Sequence, residues 1–284
     1  MKVVIATVID ETALVLKKAG IKSAKLDARI IVATCIGIEL KKLNGYISKK
    51  INKSQLNSIK NLTSARLLRK PIDKILGKRG FWTLDFEVTQ DTMSPRPDSE
   101  SLIEAIIKLC PERYKINRLL DLGTGTGCLL LSLLEEYPAA WGVGVDLDPR
   151  TLTVAIKNAA LANLQTRCSF LAGDWAHALN GIFDIIVSNP PYIPVDDIKN
   201  LEPEVAHFDP ILALNGGLDG LDCYRRIVSI APRLLKSDSL LVFEAGFGQD
   251  EDIRLILKSG GFQVVHIEND LNNCPRAICA KLFS

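Results

Sequence analysis

"LLDLGTGTGCLLL", residues 119–131, decides how this chain folds. A short apolar run meets Asp121, passes through Gly123, Gly125 and Gly127, and re-emerges as a leucine-rich stretch. A buried strand, a glycine turn and a helix account for that order. Glycine lets the backbone take left-handed φ values and lets a ligand approach it closely. Working outward, short apolar runs alternate with helical stretches from about Arg118 onward: "WGVGVDLD", "TLTVAIKNAALAN", "CSFLAG", "FDIIVSN", "CYRRIVSIAPRLL", "SLLVFEAG". Strands alternating with helices predict an α/β fold with a doubly wound, mostly parallel sheet. Ligands in such sheets bind beyond the carboxyl ends of the strands, so the chemistry is sought there.

Four strand ends carry suitable residues. In the first, the spacing is GxGxG, with Thr124 and Thr126 between the glycines and Asp121 just before them. Dinucleotide-binding loops read GxGxxG and hold a pyrophosphate. A carboxylate at Asp121 disfavours that anion and suits a ligand with an ammonium or sulfonium group. The second end, "VGVDLDP", closes on Asp146, a carboxylate placed to accept both hydroxyls of a ribose. Asp148, before Pro149, reads instead as a helix cap. The third end, "LAGDWAHAL", offers Asp174 as an acceptor for an adenine amino group and Trp175 as a flat wall. Together these three ends outline a site for adenosine with a cationic tail, which describes S-adenosylmethionine.

The fourth end is "IIVSNPPYIPV", residues 185–195. Proline cannot donate to a sheet ladder, so the strand stops at a stiff turn. The Asn189 side-chain carbonyl and the Pro190 backbone carbonyl can each accept one N–H of a planar NH₂ group. Pro191 holds the turn rigid, and Tyr192 gives a flat group a surface to stack on. Such a site suits a weakly nucleophilic nitrogen whose lone pair is tied into a π system.

Residues 1–75 differ from the rest. They carry 16 Lys and Arg against 5 Asp and Glu, a balance of +11, while the remainder of the chain is at −9. Their periodicity predicts a small helical bundle with almost no strand, capped near Asp10 and Ser23 and stopped at Gly20 and Gly37. "ILGKRGFWTLDFEVTQDTM" then alternates as a β-hairpin, and "SPRPDSESLIEAIIKL" opens a helix. The boundaries expected are a helical docking domain at 1–75, a hairpin linker at 76–93 and a catalytic domain at 94–284. The first residues read as helix rather than signal peptide, and no apolar run approaches the ~20 residues that span a bilayer. The seven cysteines form no CxxC pair, so neither a disulfide framework nor a metal site is expected. They suit a reducing compartment, the cytoplasm.

These motifs resemble the class I S-adenosylmethionine-dependent methyltransferases. The NPPY tetrapeptide narrows the resemblance to enzymes acting on planar nitrogens: adenine-N6 DNA methyltransferases and protein-glutamine N5 methyltransferases. "PIDKILGKRGFWTLDFEV", "PRPDSESLIE", "NPPYIP" and "FDPILALNGGLDGLDCYRRI" resemble the release-factor glutamine methyltransferases over nearly the whole length. The resemblance implies methyl transfer from S-adenosylmethionine, leaving S-adenosylhomocysteine, to the glutamine of the GGQ motif in class 1 peptide chain release factors. It carries Gly123–Gly127, Asp146 and Trp175 to cofactor positions, and Asn189, Pro190, Pro191 and Tyr192 to the substrate site. It places Arg96 in a nearby loop and Phe81 close to the target, and it makes the helical module a dock for the release factor. A monomer that binds neither membrane nor nucleic acid directly is expected. Lys74 and Thr83 depart from the family's usual tyrosine and glycine. The competing enzyme, an adenine-N6 DNA methyltransferase, commonly needs a long basic insertion, and here the only basic region precedes the catalytic fold.

Overall fold

The computed structural model describes residues 3–283, and its contacts divide the chain into one unit ending at Leu76 and another starting at Gly77. The first unit comprises β1 (Val3–Val4), α1 (Ile5–Lys18), α2 (Ala24–Ile36), β2 (Lys50–Ile51), α3 (Lys53–Leu67) and α4 (Ile72–Leu76). Ile5, Val8, Leu16, Ile31, Leu43 and Ile59 meet in its core. Gly37 ends α2 at φ 75°, a conformation that favours glycine over residues with a Cβ. One expectation is corrected: Asp10 lies inside α1 rather than at its cap, because Ile5 and Val8 bury the helix a turn earlier. A two-residue antiparallel pair, β1 with β2, is the little strand among the described residues of this unit before the hairpin.

A buried ion pair ties α2 to α3: Arg66 Nε donates to Asp27 Oδ2 at 2.7 Å, and Ser23 Oγ donates to the same oxygen. Asn52 begins α3 with a capping box. Its Oδ1 accepts from the Gln55 N–H at 2.9 Å, and its own N–H donates to Gln55 Oε1 at 3.1 Å. Asn52→Ala removes one of these two bonds and the cap preference, and is expected to cost about 1 kcal/mol. The shift in urea midpoint of the full-length protein, followed by helical signal, measures it.

The second unit opens with the hairpin β3 (Lys78–Phe81) and β4 (Leu84–Glu87), followed by α5 (Glu100–Leu109). Then come β5 (Arg118–Leu122), α6 (Cys128–Glu136), β6 (Trp141–Asp146), α7 (Pro149–Leu161), β7 (Cys168–Ala172) and β8 (Phe183–Ser188). The short α8 (Pro203–Ala206), α9 (Asp222–Ile230), β9 (Leu235–Glu244), α10 (Asp250–Ser259), β10 (Phe262–Asn269) and β11 (Pro275–Leu282) complete it. Seven strands form one sheet in the order β10-β11-β9-β8-β5-β6-β7, in which β11 runs antiparallel to both its neighbours, β9 and β10, and the other six strands run in one direction. The expected α/β class with a mostly parallel sheet is therefore present.

Period-two alternation sorts the central strands onto two apolar layers. Leu119, Ile185, Val187, Leu240 and Val242 face one layer; Leu120, Leu122, Ile186, Leu241 and Phe243 face the other. Both faces are covered, which is why these strands read as unbroken apolar runs. The strand order reverses between β5 and β8, so a crevice opens beyond their carboxyl ends. Gly123 follows β5 and Asn189 follows β8, and the topology alone brings them to that crevice.

Candidate active site

A cleft of about 290 Å³ lies at the reversal point. The glycine loop forms its floor. Gly123, Gly125 and Gly127 have φ of 76°, 57° and 81°. A Cβ at Gly123 would stand 3.6 Å from the Trp175 ring and 3.8 Å from the Asn189 carbonyl, narrowing the cleft between them. The N–H groups of Gly123 and Thr124 both donate to the Val145 carbonyl at 2.9 Å, which ties the loop to β6.

Asp146 closes β6 and lines the cleft. Its Oδ2 accepts from the Gly125 N–H at 3.0 Å and its Oδ1 from the Asp148 N–H at 3.1 Å. A carboxylate offers about four lone-pair directions, so each oxygen retains capacity for a ligand hydroxyl. Asp148 instead caps α7, accepting from the Arg150 N–H at 2.9 Å. Asp174 and Trp175 follow β7 and also line the cleft. The Asp174 carboxylate is engaged by Arg226, and Trp175 holds a left-handed φ of 52° that turns its ring against Gly123.

Asn189, Pro191 and Arg96 line the same cleft. The turn that carries Asn189 is clamped from several sides. Ile193 pairs in parallel with Asn215, and the Tyr192 carbonyl accepts from Gln249 Nε2 at 2.9 Å. Gly216 passes so close that a Cβ there would lie 2.8 Å from Tyr192 Cα, and one at Gly220 (φ 79°) would strike the Tyr192 carbonyl. Arg96 Nη2 is held by Asp209 Oδ2 at 2.5 Å. Asn189 Nδ2 donates to Ser99 Oγ at 3.2 Å, and Ser99 Oγ donates to Glu244 Oε2.

Several residues expected at the site stand elsewhere. Asp121 is fully buried and does not line the cleft: its Oδ2 accepts from Thr124 Oγ1 at 2.7 Å, so it braces the loop from beneath. Its Oδ1 has no hydrogen-bond partner. Phe81, at 2% exposure, packs edge-on against Phe86 with centroids 6.2 Å apart; alternation in the hairpin turns it into the core. Pro190 and Tyr192 do not line the cleft either, and the Tyr192 ring packs into the apolar layer below it. Ser99 and Glu244, which the structure ties to Asn189, had no signal in the sequence beyond a cap position and a strand end. Among the described residues no cluster of His, Cys, Asp or Glu could hold a metal ion, and no helix is long and apolar enough to cross a membrane.

Burial pushes the carboxyl of Asp121 up to about 7, and that of Glu244 likewise to about 7. Ordinary carboxyls in the unfolded chain release their protons near pH 4. Across the interval between those values the folded unit holds protons that the unfolded chain has lost, so stability falls as pH rises through it. The melting temperature is expected to be several degrees higher at pH 5.5 than at 7.5. An Asp121→Asn, Glu244→Gln double variant should show a flatter profile over the same range in calorimetry.

Comparison with known proteins now adds the family. Residues 98–205 match the Methyltransferase small domain and residues 7–77 the PrmC N-terminal domain. The release factor glutamine methyltransferase of Rhodospirillum rubrum is 41% identical over 281 residues, covering 98% of this chain and 85% of that relative. The chain belongs to the release factor glutamine methyltransferase family. A second member, from Caulobacter vibrioides, is 36% identical over 93% of this chain and 91% of its own length. The chain is thus a methyltransferase, and solved structures agree on the fold. The hMettl16 catalytic domain aligns with a TM-score of 0.60 at 16% identity, covering 79% of this chain and 82% of that one. A methyltransferase from Pyrococcus furiosus aligns at 0.53 with 17% identity, covering 77% and 96%.

Proposed function

We propose that this enzyme transfers a methyl group from S-adenosylmethionine to the side-chain amide nitrogen of the GGQ glutamine in class 1 peptide chain release factors. The observation that carries the reading is Asn189: it lines the cleft with its Nδ2 engaged by Ser99, which leaves Oδ1 as the end free to accept. A primary amide needs two acceptors to be gripped by both its N–H groups. Asn189 Oδ1 is one such acceptor in the cleft, and the Pro190 carbonyl, next along the same rigid turn although Pro190 itself does not line the cleft, would supply the other. Binding both hydrogens orients the nitrogen and stabilises the positive charge that builds on it as the new bond forms.

The residues present fit the methyl donor. Gly123 leaves open the space that a Cβ would occupy between Trp175 and Asn189, and Asp146 presents a carboxylate with spare lone pairs for hydroxyls. Asp146 would hold the ribose, Trp175 would flank the adenine, and the glycine loop would let the donor lie against the backbone. When bound, the donor supplies an electrophilic methyl on a sulfonium. Asp174 is already paired with Arg226, so it would serve adenine only through an oxygen or lone pair that this pairing spares.

The +11 balance of the first 75 residues supports a docking role for the first unit toward an acidic partner. Incubation with labelled donor and a release factor tests the reading. Label is expected on the native factor and not on one whose GGQ glutamine is replaced by alanine. Label persisting on that variant, or passing instead to duplex DNA, overturns it.

A further inference from the structure

Asn189 presents a problem of polarity. Its carboxamide has one accepting and one donating end of nearly equal size, and a half-turn about its last side-chain bond exchanges them. Only one orientation leaves an acceptor for the substrate amide. Something must select it.

The selection lies in the bonds behind the residue. Ser99, just before α5, and Glu244, the last residue of β9, are both buried, and they are 145 positions apart in sequence. Ser99 Oγ donates its single hydrogen to Glu244 Oε2, and Asn189 Nδ2 donates to Ser99 Oγ at 3.2 Å. A hydroxyl that has given its proton to a carboxylate can offer its neighbour only lone pairs. The half of the Asn189 amide facing Ser99 must therefore be NH₂, and Oδ1 is turned to the other side.

We infer that Ser99 and Glu244 are positioning residues that fix the Asn189 amide with its carbonyl toward the substrate. This rests on the proposed glutamine reading. Ser99 lines the cleft beside Asn189 and Glu244 does not, and both act here through their bonds to the Asn189 amide.

The dyad has a built-in dependence on protonation. A protonated Glu244 can donate to Ser99, freeing the serine hydrogen to point at Asn189 and favouring the reversed amide. Burial raises the Glu244 carboxyl to about 7, while Arg276 on β11 and Arg96 oppose that rise and Asp98 adds to it. The phenols of Tyr192 and Tyr224 and the Cys128 thiol also feel its charge; all three are pushed upward and stay neutral through this range.

Three variants and three readouts test the inference. Ser99→Ala is expected to lower kcat at least about tenfold while the affinity for S-adenosylhomocysteine stays within about twofold, the scale of one lost hydrogen bond. Ser99→Thr, which keeps the hydroxyl, should stay within about threefold of the parent by the same reasoning. The parent is expected to lose kcat as pH falls below about 7, and Glu244→Gln, which retains an acceptor but no titration, should abolish that decline. Independently of turnover, the Asn189 carboxamide protons in a ¹⁵N-labelled sample should exchange with solvent at least about tenfold faster in Ser99→Ala. Unchanged exchange with a kcat within about threefold of the parent overturns the inference. If the parent itself leaves release factors unmethylated, the glutamine reading falls, and the exchange measurement still decides the positioning.

Discussion

Replacing Asn189 by alanine is expected to lower kcat by about 10²–10³, by analogy with the loss of one fixed hydrogen-bonding group facing charge that develops during reaction. The nucleophile is an amide nitrogen whose lone pair is delocalised into its carbonyl. Transfer draws that lone pair out to form the N–CH₃ bond as the S–CH₃ bond breaks, releasing S-adenosylhomocysteine and leaving positive charge on nitrogen until one of its N–H protons passes to solvent. The Asn189 carbonyl sits on a turn braced by Gln249, Gly216 and Gly220, so it needs no reorganisation to meet that charge. Its interaction with a neutral amide is weaker than with the cationic one, so the loss falls on kcat more than on substrate KM. Asn189→Asp separates charge from geometry, because it keeps an acceptor but leaves Ser99 facing an oxygen instead of an N–H. Steady-state kinetics on a release factor measure both. A kcat for Asn189→Ala within threefold of the parent would remove this role.

The second large effect concerns Asp146. Its replacement by alanine should weaken binding of S-adenosylmethionine by about 10²–10⁴, since hydrogen bonds to a charged group contribute about 1.5–3 kcal/mol each and two ribose hydroxyls are at stake. The same change removes the acceptor for the Gly125 N–H at the centre of the glycine loop. Asp146→Asn keeps one accepting oxygen and should fall between the two. Calorimetric titration with S-adenosylhomocysteine reads the affinities directly. An unchanged value for the alanine variant would transfer the ribose to other groups.

Much of the fold follows from local order in the chain. The run 119–131 carries strand, turn and helix in thirteen residues, and the apolar runs that follow repeat the pattern. The topology then brings Gly123, Asp146, Asp174, Trp175 and Asn189 to one cleft, because each follows or closes a parallel strand. What escaped were facts of direction and distance. Phe81 and Tyr192 are aromatic residues near the site in sequence, yet side-chain direction sends both rings into apolar layers. Asp121 precedes the glycine loop, but its place in β5 puts the carboxylate below the loop rather than in the cleft. Ser99 and Glu244 belong to separate segments of the sequence, and no local spacing links them. The two-residue pair β1–β2 is too short for any alternation to register.

The clamp on the NPPY turn has a consequence for how the enzyme is made. The glycine loop and Asp146 lie before or close to the middle of the chain, and their bonds run between neighbouring strands. The turn itself is translated soon afterwards, yet the groups that hold it, Gly216, Gly220, Glu244 and Gln249, emerge later. A nascent polypeptide released before residue 244 would contain every motif by which such an enzyme is recognised, yet lack Glu244 and Gln249, two of the groups that set its amide-gripping loop. The bonds that shape the methyl-donor side of the cleft thus join segments made early, whereas those that set the acceptor side are completed only once residues 244–249 have been made.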